Sequence, residues 1–324
     1  MRKSIVLLVL LMIFLLISQG AAAEDELIVW CAASPSEGET LIEAFEENYP
    51  DIDVKMIRAG SGEILTRLQA EQPRPSGDVI LGIAQESFEG YYDLFEGYKT
   101  ANHDVIPSDL RDDAEDPKYY GYSLPLQAFM VNTDRLSEDE YPTSWEDLAD
   151  EKYKGEVIMA NPAMSGSAYS QVFQMYEIYG MEFLEKLVPN VVFVSSSTMV
   201  PEAVSRGEYS IGVTGEYNIA DHIAKGSPVA AVYPEEGTGI RFDASGIVKN
   251  GPNPESARAF MDFLTTKEAY EIILEVRKRR TAHPEVATPA GLPAFENVPT
   301  REYDAIKAQE IREELTMDVS NLIE

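Results

Sequence analysis

Apolar and polar residues alternate along Ile52-Asp-Val-Lys-Met-Ile57, the period of a strand with one buried face. The phase then changes, because Ile64, Leu65 and Leu68 fall on one side of a helix that opens at Ser61-Gly62-Glu63. Gly60 and Gly62 permit a tight turn there, and Ser61 is placed to cap the helix through its hydroxyl. The same change recurs along the chain. Leu27 to Ala33 is an apolar strand, and Ser34-Pro35-Ser36 opens a helix carrying Leu41, Ile42 and Phe45. Asp78 to Gly82 is another apolar strand.

After residues 122–127 the pattern restarts. Phe129 to Asn132 reads as a strand, Ser144 to Leu148 as a capped helical turn, and Glu156 to Ala160 as a buried strand. The last of these runs into Ser165-Gly166-Ser167 and a helix with Val172, Phe173, Met175 and Tyr176. Asn190 to Val194 enters Ser195-Ser196-Ser197-Thr198, ahead of a helix around Val200 to Val204. Tyr209 to Val213 enters Thr214-Gly215-Glu216-Tyr217. Val229 to Tyr233 and Ala244 to Val248 are further strands, followed by helices over 254–264 and 267–278, a proline-rich segment over 283–299 and a charged helical tail.

Strands alternating with helices predict the α/β class with mostly parallel sheets. The simplest arrangement is two lobes joined by two crossings, near Leu126 and near Gly237. It divides the mature chain into a first lobe over 24–126, a second over 127–237, and a return over 238–324 that rejoins the first lobe and ends in helices. Ligands of such sheets bind beyond the carboxyl ends of the strands, where the Ser and Gly corners lie.

The amino terminus changes the picture of where this fold works. Arg2 and Lys3 precede an apolar run from Ile5 to Ile17 and then Ser-Gln-Gly and three alanines, the order of a secretory signal cut after Ala23. The run is shorter than the roughly 20 residues of a spanning helix, so the mature chain is expected to be exported, without membrane insertion, into the periplasm or extracytoplasmic space. Cys31 is the single cysteine and lies beyond the cut inside an apolar strand, so no internal disulfide supports the fold. Against 26 basic residues stand 56 acidic ones, a formal net charge of −30. That balance argues against nucleic acid and anionic membrane surfaces as partners, yet a pocket acts locally because distant charges are screened.

Four corners share one design: Ser34 to Ser36, Ser61 to Glu63, Ser165 to Ser167, and Ser195 to Thr198 with Ser196 and Ser197 between. Each places hydroxyl residues at a helix start after a strand. Facing helix starts from two lobes would offer N–H and O–H donors to an oxyanion without any lysine or arginine. Catalysis finds no comparable support. No Gly-x-Ser-x-Gly elbow, phosphate loop, His-Glu-x-x-His or cysteine pair occurs, and His103, His222 and His283 are scattered. A secreted transferase or hydrolase on the same scaffold is the competing class, because fold does not fix function.

Taken in order, LIVWCAASPSEGETLIEAFEENYPDI, GSGEILTRLQAE, DVILGIAQESFEG, KGEVIMANPAMSGSAYSQV, SRGEYSIGVTGEYN, VYPEEGT and RRTAHPEVATPAGLP resemble the type 2 periplasmic substrate-binding proteins of ABC importers, in the ferric-binding-like branch. The resemblance spans nearly the whole mature chain. It implies a monomer of two lobes closing on a solute, which is handed to a membrane permease driven by an ATPase, with no cofactor. In iron-binding relatives adjacent tyrosines hold the metal, assisted by a first-lobe glutamate and histidine, and a Ser-Gly corner holds a companion anion. Here Gly215-Glu216-Tyr217 keeps one tyrosine, Glu63 matches the glutamate, and no histidine occurs in the first corner, whereas Ser165-Gly166-Ser167 is intact. Other members of the branch take phosphorylated sugars or phosphonates. The resemblance therefore implies a small organophosphate held by Ser34, Ser36, Ser61, Gly62, Glu63, Ser165, Gly166, Ser167, Ser196 and Ser197, with Glu216 and Tyr217 contacting the rest of it. The alternative is ferric iron bound by Glu63, Glu216 and Tyr217, since hard Fe(III) favours oxygen donors.

Overall fold

The computed structural model describes residues 25–323; the expected signal segment, 1–23, lies outside them. The chain first lays down β1 (Asp25–Cys31), α1 (Pro35–Asn48), β2 (Ile52–Arg58), α2 (Ser61–Glu71), β3 (Val79–Ala84), α3 (Gln85–Gly90), β4 (Phe95–Glu96) and β5 (Tyr120–Leu124). It crosses at Pro125-Leu126 into β6 (Gln127–Asn132), β7 (Val157–Ala160), α4 (Gly166–Tyr179), α5 (Met181–Leu187), β8 (Val191–Val194), α6 (Met199–Ser205), β9 (Ile211–Gly215), α7 (Glu216–Ala224) and β10 (Val229–Val232). It returns through β11 (Thr238–Ile240) to β12 (Asp243–Val248), α8 (Pro254–Leu264), α9 (Lys267–Arg277) and β13 (Arg280–Thr281). The end of the chain forms β14 (Thr300–Glu302), α10 (Ala305–Glu310) and α11 (Arg312–Ile323).

Two large sheets result, ordered β13-β5-β12-β3-β1-β2, with β4 also on β12, and β10-β6-β9-β7-β8, beside a small two-stranded sheet of β11 and β14. Both large sheets are mixed, which refines the expectation of mostly parallel pairing. β1 runs parallel to β2 and β3, and β7 parallel to β8 and β9, because a covering helix carries the chain back each time. β5, β12 and β13, like β6 and β10, pair antiparallel instead. β6 and β12 enter straight from the other lobe, with no helix to reverse them.

The continuous apolar runs of the second sheet are explained by burial on both faces. Phe129, Val131, Val157, Met159, Ile211 and Val213 join one cluster around Trp145 and Phe173. The alternate residues Ala128, Met130, Ile158 and Ala160 join another around Val200, Val204 and Ile219. In the first lobe Leu27, Val29, Val79, Leu81, Phe45 and Phe260 share one core.

A third segment also runs between the lobes. β14 pairs with β11, α10 packs on α3 of the first lobe, and Leu315 and Val319 of α11 enter the core of the second. The Tyr169 hydroxyl donates to the carbonyl of Ala308, tying this strap to α4.

Cys31 is fully buried at the end of β1. Burial pushes its thiol up to about 11, so the reactive thiolate is scarce near neutrality. Iodoacetamide at pH 8 is expected to leave the native protein unlabelled over an hour and to label it stoichiometrically in denaturant. Mass spectrometry reads both states, and rapid native labelling would contradict this burial.

Candidate functional site

Strand register decides which loops meet. Cys31 lies opposite both Arg58 and Leu81, so the parallel strands β1, β2 and β3 deliver Ser34, Ser61 and Gln85 to one sheet edge. The antiparallel strands end at the same edge from the other direction. Asp243, which opens β12, pairs with Ala84 and Ser123, and Arg280 pairs with Leu124. In the second sheet Ala160 lies opposite Val194, Ile158 opposite Gly212, and Gln127 opposite Gly215. The corners at Ser165, Ser195 and Glu216 therefore share one edge with Gln127. Because Leu124 and Gln127 are joined by two residues, these two edges are neighbours across the hinge.

The corners differ in their chemistry. Ser34 caps α1 by accepting from the Glu37 N–H at 3.4 Å, and Ser36 is exposed beside it. Ser61 does not cap α2 as expected: the cap position is Gly60, and Ser61 is the first helical residue. Its hydroxyl is thus not spent on the backbone of the cap, and Gly62 and Glu63 after it are exposed. Ser165 caps α4 by accepting from the Ala168 N–H at 3.2 Å, and Ser167 donates to Gln127 Oε1 at 3.2 Å. Gly166 is exposed between them, and the Arg312 guanidinium of α11 lies 4.9 Å over the Tyr169 ring nearby. Ser196 pairs its hydroxyl with that of Thr198 at 2.8 Å, and Ser197 is half-buried.

Glu216 requires a correction. Instead of facing a solute it is fully buried, and both of its carboxylate oxygens are engaged. Arg280 donates to Oε1 at 2.9 Å and to Oε2 at 3.1 Å, and the Tyr233 hydroxyl also donates to Oε2. The Glu216 N–H donates to the Leu126 carbonyl. The residue therefore binds the hinge together, because Arg280 belongs to the first sheet and Tyr233 to the second crossing. Tyr217, next in the chain, is half-buried.

The arginines are the feature that sequence reasoning missed: cationic side chains stand at the edge where a site without them was expected. Arg279 and Arg277 lie 4.7 and 5.7 Å from the centre of the Tyr217 ring. Arg279 also donates to Asp243 at 2.8 Å and to Ser123 Oγ at 3.2 Å. Although burial acts against the charged guanidinium, the attraction of Asp243 raises its pKa, so Arg279 stays charged. Arg241 contacts Glu86 at 3.0 Å and Asp243 at 3.4 Å, and Arg58 donates to the Ala33 carbonyl at 2.9 Å. A signal was present: Arg277-Lys278-Arg279-Arg280 is a run of four cations in a chain of net charge −30.

Two α/β lobes joined by chain crossings, with strand-to-helix corners from both at neighbouring edges, define a class, the two-lobed solute-binding proteins. A family model described as bacterial extracellular solute-binding protein matches residues 40–300, and the chain belongs to that family. Its members are extracytoplasmic binding proteins rather than enzymes, and they serve an ABC permease and its ATPase. No helix among the described residues is long and apolar enough to cross a membrane. The chain is 34% identical over 270 residues to an uncharacterized protein of Haemophilus influenzae, covering 80% of this chain and 78% of that one. It is 25% identical over 250 residues to Iron uptake protein A1 of Synechocystis, covering 69% and 67%. The solved structure of the periplasmic binding protein AfuA from Actinobacillus pleuropneumoniae, with exogenous fructose-6-phosphate bound, matches with a TM-score of 0.77 at 26% identity, covering 92% of this chain and 98% of that one.

Proposed function

We propose that this solute-binding protein captures a small organic anion bearing a phosphoryl or phosphonyl group between its two lobes. The observation that carries this reading is the placement of Arg277 and Arg279 against Tyr217 at the meeting of the two sheet edges. Guanidinium groups match phosphate oxygens in geometry and charge, and the hydroxyl corners supply further donors. Ser61 and Gly62 from the first lobe, and Ser165, Gly166 and Ser167 from the second, close around the anion, while Tyr217 covers it. Ser34, Ser36, Glu63, Ser196 and Ser197 form the rim. Closure of the lobes is the change that the permease reads. The exported, signal-cleaved chain works as a monomer in this reading.

The ferric reading draws on the relative named for iron uptake. It loses weight because Glu216, one of its three oxygen donors, is already bonded to Arg280 and Tyr233. A thermal-melt panel on the mature, ligand-stripped protein separates the two. A solute at a hundredfold above its dissociation constant stabilises the folded state by about 2.7 kcal/mol. The expected result is a clear upward shift with fructose 6-phosphate or another phosphate ester, and none with ferric citrate. A shift with ferric citrate alone would overturn the organophosphate assignment.

A further inference from the structure

Glu37 is 1% exposed, although it stands in the first turn of a helix whose other early residues, Ser36 and Pro35, are exposed. A glutamate three residues after a serine cap normally reaches back to the backbone N–H of that cap. Glu37 does not. Its Oε2 lies 3.4 Å from Ser34 Oγ and 3.9 Å from Arg277 Nε, and its Oε1 is buried without a hydrogen-bond partner. Arg277 Nε and Arg279 Nε are likewise buried without hydrogen-bond partners, Arg277 Nε keeping only its 3.9 Å ion-pair contact with Glu37. A carboxylate oxygen and two guanidinium N–H groups, none of them hydrogen-bonded, therefore share one wall, at the point where Tyr217 of the second lobe meets the first. Burial, and then the charges of Glu37 and Asp243, hold the Tyr122 phenol well above its ordinary pKa.

Opposite charges side by side set a requirement on what they bind. The guanidinium groups favour an anion, whereas a carboxylate repels a second anion and accepts from a donor. We propose that Glu37 is a specificity-determining residue that accepts a hydrogen bond from a hydroxyl or ammonium group on the solute, beside the anionic group held by Arg277 and Arg279. This inference rests on the organophosphate reading above and sharpens it. The solute is a phosphate ester or phosphonate with a donor within a short carbon chain of phosphorus, and compounds that lack the donor, or carry a second anionic group in its place, bind less well. Opening of the lobes lifts Tyr217 off the two arginines and admits the solute to this wall.

Titration calorimetry with three probes tests the assignment in wild type and Glu37→Gln. Glycerol 3-phosphate carries hydroxyl donors, phosphoethanolamine an ammonium group, and methylphosphonate neither. Losing a hydrogen bond to a charged group is expected to weaken the first two by about 10- to 100-fold. Methylphosphonate affinity is expected to hold or to tighten, since a repelling charge is gone. A larger loss for phosphoethanolamine than for glycerol 3-phosphate identifies the ammonium group as the natural donor, and the reverse order identifies a hydroxyl. Glu37→Asp, which keeps the charge and withdraws the carboxylate, should show the same selective loss and serves if the glutamine variant folds poorly. Equal losses on all three probes, or no loss on any, would overturn the role of Glu37 while leaving the organophosphate reading intact. Failure of the wild type to bind any of the three would remove that reading and this inference together.

Discussion

Replacing Arg279 with glutamine is expected to weaken binding of a phosphorylated solute by about 100-fold, with little change in the stability of the empty protein. The two effects separate because of how the guanidinium is held. Its Nη1 is fixed by Asp243 and Ser123, its face lies over Tyr217, and its Nε–H is free of partners. Those contacts orient the group rather than consume it. A charge-assisted hydrogen bond to a phosphate oxygen contributes about 1.5–3 kcal/mol, which corresponds to roughly one to two decades of affinity. Asp243 keeps Arg241 at 3.4 Å after the substitution, so no isolated carboxylate is left in the wall. Lysine at the same position keeps the charge but loses the planar fork and the stacking on Tyr217, and about a tenfold loss is expected. Calorimetry on the three proteins, with melting curves of the empty forms, checks both halves. Full affinity in the glutamine variant would move the anion away from this wall, toward Ser165 to Ser167.

Why the corners were legible in the sequence and the arginines were not is a matter of chain distance. Each corner lies within a few residues of the strand that positions it, so the change of hydrophobic period at Ala33, Arg58, Ala160 and Val194 marks it directly. Arg279 reaches the same edge through β13, more than 150 residues after the Ser123 that it contacts. No local pattern records that pairing. Glu216 shows the converse. Its position at a strand-to-helix turn follows from the local pattern, but its partner Arg280 lies 64 residues away, so nothing local shows that its carboxylate is already engaged. The cap of α2 was misplaced by one residue for a smaller reason, since Gly60 takes the extended backbone of a cap as readily as a serine does.

Removing the Glu216 carboxylate should act on the hinge rather than on the solute. Glu216→Ala leaves the Arg280 guanidinium, whose side chain is only 6% exposed, without its charge partner. Breaking a buried ion pair from one side costs about 3–5 kcal/mol, because the remaining charge has lost water and its counter-charge, and Arg280 keeps only the Pro293 carbonyl as a hydrogen-bond acceptor. Urea unfolding is expected to report a loss of that size for Glu216→Ala, and a similar one for Arg280→Ala. The double substitution Glu216→Leu with Arg280→Met removes both charges and keeps apolar volume, so it should recover most of the loss. Tyr233 then loses an acceptor, and a residual deficit of about 1 kcal/mol is the expected remainder. Affinity provides the contrasting measurement. Neither residue is free to face a solute, so the double variant should bind a phosphate ester within a few-fold of wild type once folded. A double variant that is stable yet has lost all binding would show that the carboxylate contacts the solute directly and that its bonds to Arg280 and Tyr233 give way when the lobes close.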